Sequence, residues 1–160
     1  MLKPTDKLSL QYIGKFIALF FAFSPFSYAN EQLITEQPLS FGIIAIAKSP
    51  HIKQLTVNTD GQLQHSKGIY ILQPGHVAKF SLIGYPANTM LMINATIIKP
   101  AMDINNSLKL IKIITKQTVT TDGTGFATII VGGTLQSTGQ PKNLDKKANY
   151  QAQIAIDIHY

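Results

Sequence analysis

The stretch from Tyr150 to Tyr160, Y-Q-A-Q-I-A-I-D-I-H-Y, constrains the fold more than any other part of the chain. Tyr150, Ala152, Ile154, Ile156, Ile158 and Tyr160 fall on one side of an extended backbone. Gln151, Gln153, Ala155, Asp157 and His159 fall on the other. Successive side chains of a strand point to opposite faces, so this pattern specifies a half-buried strand. A slip of one residue in pairing would turn every isoleucine into water, which makes the register strongly determined. A half-buried strand closing the chain needs a sheet to receive it, and the preceding residues are read as that sheet.

The segments before it supply strands and turns at short intervals. Leu39–Ala47, Leu55–Asn58, Ile69–Leu72, Val77–Ile83, Met90–Ile98 and Phe126–Val131 are apolar or alternating runs. Leu108–Ile114 has helical spacing at Leu108, Ile111 and Thr115, but its β-branched content and its neighbours make it a strand. Ser49-Pro50 ends the first run, Asp60-Gly61 marks a hairpin turn, and Gln73-Pro74-Gly75 is a turn. Gly84–Asn88 reads as a hairpin loop, and Thr121–Gly125 is a further turn. Gly132-Gly133 after a buried run predicts a bulge or a close approach of backbones. Thr138–Lys147 is a polar loop. Seven to nine short strands without a clear helix predict an antiparallel β-sandwich, with a small barrel as the alternative.

Residues 1–29 have the layout of a secretory signal. Lys3, Lys7 and Lys15 form a basic start, Ile13–Phe26 is apolar and aromatic, and Ser27-Tyr28-Ala29 places small residues where a signal peptidase cuts. The uninterrupted apolar run Phe16–Phe23 is far shorter than the ~20 residues needed to span a bilayer. Cleavage before Asn30 is therefore expected, leaving no transmembrane span. It removes three lysines and Asp6, lowering the formal charge from +6 to +4. The expected layout is a signal peptide over 1–29, a polar lead-in over 30–38, and one sandwich domain over 39–160. At 45% hydrophobic and 14% charged residues, the composition argues against disorder.

Several kinds of chemistry are excluded by what the chain lacks. It has no cysteine, so there is no disulfide, thiolate ligand or cysteine nucleophile. All its basic residues are lysines, which argues against nucleic acid, whose recognition leans on arginine. His51, His65, His76 and His159 show no metal-ligand spacing. Asp60-Gly61 and Asp122-Gly123 are turn dipeptides without the carboxylate cluster of a calcium loop. No G-x-S-x-G elbow or phosphate-binding loop occurs, and Asn94 and Asn105 match a glycosylation pattern. No enzyme, cofactor or metal is expected.

Three stretches taken in order carry a resemblance. L-S-F-G-I-I-A-I begins at Leu39, and F-S-L-I-G-Y-P-A-N-T-M-L-M-I runs over Phe80–Ile93. D-G-T-G-F-A-T-I-I-V-G-G-T-L over Asp122–Leu135 then precedes the terminal alternating strand. Together they resemble the bacterial secreted family catalogued as domain of unknown function 4402 (DUF4402), similar in character to spore-coat-U and fimbrial-subunit sandwiches. The resemblance implies an immunoglobulin-like sandwich in a bacterial periplasm or on the cell surface, and carries over no catalytic residue. The expected function is an exported, non-enzymatic structural or adhesive surface subunit, or alternatively a stand-alone periplasmic binding or accessory module.

Two features bear on partners. Tyr150, Ile154, Ile156, Ile158 and Tyr160 form a candidate strand-pairing interface for copies of the chain or a periplasmic chaperone. The other reading of this strand is an internal element of the sandwich. Lys142, Lys146 and Lys147 form a basic loop able to meet anionic polymers or headgroups, although lysines also keep such a loop soluble and discourage edge pairing. The lead-in, short and poorly alternating with Pro38 at its end, is a weak candidate for a donated strand.

Overall fold

Alternation in the sequence becomes alternation in burial along the central strands of the computed structural model. The structure describes residues 30–47, 50–99, 108–137 and 152–160. The expected signal peptide, the Ser49-Pro50 break at Ser49, the Asn105 pattern, the lysine-bearing loop and Tyr150 lie outside those residues.

Among the described residues the chain is all-β. Its strands are β1 Gln32–Gln37, β2 Ile43–Ile46, β3 Gln54–Val57, β4 Leu63–His65, β5 Ile69–Gln73 and β6 Ala78–Ile83. They continue with β7 Met90–Lys99, β8 Leu108–Thr115, β9 Thr118–Thr120, β10 Ala127–Ser137 and β11 Gln153–His159. Every pairing is antiparallel. One sheet runs β1-β6-β10-β3-β4 with β8 also on β10, a second runs β11-β7-β9, and β2 and β5 form a separate ribbon.

The core lies between the first two sheets. Ala78, Phe80 and Leu82 on β6 and Ala127, Ile129 and Val131 on β10 face Leu91 and Ile93 on β7. Ile154, Ile156 and Ile158 of β11 and Val119 of β9 close over its flanks. Alternate residues of β7 (Met90, Met92, Asn94) point outward and are exposed. A fully buried leucine or isoleucine contributes ~1.5–3 kcal/mol, so this two-residue period holds the sheets together.

Eleven strands exceed the expected seven to nine because three of them carry little side-chain signal. β4 and β9 have three residues each. β1 arises from the lead-in and pairs along β6 from Gln32↔Ile83 to Gln37↔Lys79, with an irregularity at Thr35–Gln37. Edge pairing of this kind is made by backbone groups, which a hydrophobic pattern does not report. The first apolar run also shortens. Only Ile43–Ile46 is a strand, because Gly42 adopts φ +74° and lies against the Gln73–Gly75 turn, where a Cβ would stand 2.0 Å from the Gln73 carbonyl oxygen.

Gly132-Gly133 continues β10 instead of ending it. Val131 pairs with Ala78 of β6, and Gly133 with Val57 of β3. Val131 and Gly133 also pair with Thr115 and Ile113 of β8 on the opposite edge. Thus β6 and β3 lie end to end along one edge of β10, and Gly132 stands at the changeover. A Cβ there would be 2.1 Å from the Val57 carbonyl oxygen, so glycine answers to a close backbone approach. The irregularity in the β8–β10 register falls one step later, at Thr134–Leu135.

Candidate functional site

β11 forms one end of the three-stranded sheet and pairs with β7 from Gln153↔Lys99 to His159↔Met92. Ile154, Ile156 and Ile158 are half-buried against the core, so their side chains serve the fold of their own chain. What β11 offers to a partner is its outer backbone edge, which no strand covers among the described residues. Tyr160 is 64% exposed and sits at the seam between the two sheets. Its hydroxyl donates to Oε1 of Glu31, just before β1, and its ring meets Tyr85 edge-on at 6.2 Å between centroids. The hydrogen bond to the Glu31 carboxylate raises the Tyr160 phenol above its ordinary value. Partial burial, and then the Glu31 charge, raises Tyr85. This seam is therefore clasped where β1 and β11 meet.

The seam on the other side is open. The β8–β10 ladder stops at Val131↔Thr115, after which the chain leaves for β9 in the second sheet. Over Ala127–Ile130, β10 pairs with β6 on one edge and with no described strand on the other. Oγ1 of Thr115 donates to the Ile130 carbonyl at 3.0 Å, in the position a further rung would take. A cleft of about 510 Å³ wraps this edge. Ile93, Val119 and Ile129 line its apolar part, while Thr118, Thr120 and Thr128 line its walls, with Asp60 and Lys116 also on its surface. It is a sheet edge with hydroxyl walls and an apolar floor, shaped for an extended backbone.

The end of the sandwich beside this cleft is rigidly tied. Buried Thr121 donates through Oγ1 to the Pro86 carbonyl at 2.6 Å and accepts from the Thr89 amide at 2.9 Å. Oδ1 of Asp122 accepts from the Thr124 hydroxyl at 2.6 Å, the Thr124 amide at 2.8 Å and the Phe126 amide at 3.0 Å. These bonds, the Thr124 hydroxyl foremost, hold the carboxyl below its usual range. The Asp-Gly sequence at 122–123 thus acts through its aspartate as a turn organiser. At the far end, buried Lys53 gives its Nζ to the Ala47 carbonyl. Its backbone exchanges bonds with Ser137, from Lys53 N to Oγ at 2.9 Å and from Ser137 N to Lys53 O at 2.8 Å.

The histidines stay apart. His65 Nδ1 lies 3.2 Å from the Ser66 carbonyl and His76 Nδ1 lies 3.3 Å from the Val77 carbonyl, while His51 and His159 are exposed. Among the described residues no group of three His, Cys, Asp or Glu side chains converges, and no helix is long and apolar enough to cross a membrane. Asn94 lies within β7 opposite Asp157. The cleft residues escaped the sequence reading because their signal is only a T-V-T triplet and scattered threonines, brought together by the crossing of β8 into β9.

A family model described as "Domain of unknown function (DUF4402)" matches residues 32–160. No curated protein and no solved structure matches the chain.

Proposed function

The chain belongs to the DUF4402 family, and from that membership and its free strand edges we propose that it is an exported, non-enzymatic subunit of a bacterial surface structure or adhesin. The observation that carries this reading is that two strand edges on opposite sides of the sandwich, the outer edge of β11 and the Ala127–Ile130 edge of β10, are uncovered among the described residues. Open edges are templates for pairing with another chain, and soluble proteins ordinarily blunt them. The signal-like residues 1–29 support export.

The test is to express the full-length gene in its host, shear the cells and immunoblot the released material without boiling. A ladder of multimers in the sheared fraction is expected. A single monomer band retained in the periplasm would defeat the reading and favour a stand-alone binding module, for which the 510 Å³ cleft would be the ligand site.

A further inference from the structure

A strand edge that stops short of its sheet is a specific demand for backbone. At Ile130 the demand is visible, since the carbonyl points away from β6 and is met only by the Thr115 hydroxyl. Amide and carbonyl groups of a strand repeat their direction every second residue, so those of Thr128 face the same open edge. No described backbone group reaches them. The ligand such a site selects is an extended chain, with one side chain directed toward Ile93, Val119 and Ile129 and its neighbours among the threonines.

We infer that the open Ala127–Ile130 edge of β10 receives the free edge of β11 from a second copy, joining copies head to tail. This rests on the assembly reading above and names the two surfaces that meet. Three observations select β11. It is a seven-residue strand whose irregularity lies at its start, between Gln153 and Ile154, leaving Ile154–His159 regular. The other long edge strands, β1 and β8, are each irregular within their length, β1 at Thr35–Gln37 and β8 at Ile111, which is passed over between Thr134↔Lys112 and Leu135↔Leu110, and such bulges impair further pairing. The exposed carboxylate of Asp157 on β11 has one candidate partner in Lys116, the single cation among the described residues lining a cleft that also carries Asp60.

The geometry also sets the kind of assembly. β11 lies on the seam clasped by Tyr160 and Glu31, and the cleft lies on the seam between β9 and β10. Two different surfaces on opposite sides make a heterologous contact, which propagates into a filament or closes only as a ring.

The experiment compares the purified full chain with two variants by sedimentation velocity over a concentration series, with circular dichroism to confirm folding. Thr128→Pro removes an amide that faces the open edge and leaves β6 pairing untouched. Asp157→Lys places a like charge opposite Lys116. The native chain is expected to form a concentration-dependent series of oligomers, and each variant to weaken assembly at least about tenfold. Mixed together, the variants should give a discrete dimer, because each retains the edge the other has lost. If Thr128→Pro does not fold, Thr118→Glu on the facing wall of the cleft takes its place, setting a like charge against Asp157. Oligomers undiminished in the cleft variants would overturn the inference while leaving surface assembly by another edge intact. A native chain monomeric throughout, or a mixture without dimer, would overturn it also.

Discussion

Asp122 shows how one side chain settles a turn. Its Oδ1 gathers three donors from Thr124 and Phe126, and its carboxyl is held below the usual range by them. A folded-state value below the unfolded one means the charged form favours folding. That contribution is complete above the ordinary carboxyl value of about 4 and fades as pH falls through the lower folded value. Asp122→Asn should therefore unfold at a lower temperature than the native chain near neutrality, with the difference shrinking in acid, as thermal melts across pH would register. Thr121 is the stronger case because it is buried. Thr121→Val leaves the Pro86 carbonyl and the Thr89 amide without their hydroxyl partner, a loss of about 1–3 kcal/mol measurable by denaturant titration. The Asp-Gly turn was legible in the sequence. The threonine was not, since its partners lie 32 and 35 positions away.

At the scale of elements, β7 and β10 divide what patterning determines from what pairing determines. Leu91 is fully buried while Met92, the next residue, is 60% exposed. Leu91→Ala is expected to cost about 2–5 kcal/mol and Met92→Ala less than about 0.5 kcal/mol, a contrast that equilibrium unfolding resolves. Alternation written in the sequence was enough to foresee it. β10 is different, because its two glycines, read as a bulge or a close backbone approach after Val131, lie at the middle of a strand that runs on to Ser137. Gly132→Ala would drive a methyl group into the Val57 carbonyl where β6 gives way to β3, and should destabilise the fold by about 3 kcal/mol. A melt unchanged by that substitution would refute the close approach. β1, β4 and β9 escape a reading by pattern for one physical reason: they are short or poorly alternating and are held mainly by ladder bonds to a neighbour.

For the whole molecule, the two seams of the sandwich have opposite characters. One is clasped by Tyr160 and Glu31, the other open at β10 among the described residues. The clasp uses a protonated phenol whose folded value is raised, so its contribution is full below the ordinary tyrosine value of about 10 and is lost as pH rises through the higher folded value. Tyr160→Phe should accelerate amide hydrogen exchange in β1 and β11 while leaving β6 and β10 protected. Equal acceleration in all four strands would show that Tyr160 supports the core rather than the seam.

The sequence by itself determined the all-β character, the position of most core strands and the membership in the family, because each is written in local periodicity and turn chemistry. It placed Ile154, Ile156 and Ile158 on one face of a strand, yet left open whether that face met a partner or its own core. Only the tertiary structure decided that the isoleucines turn inward and that the backbone edge remains outside. It alone made a strand of the lead-in and assembled Thr115, Thr118 and Thr128 into a cleft. Which edges of a sheet stay unpaired depends on contacts between residues far apart in the chain, and no period along a single strand records them.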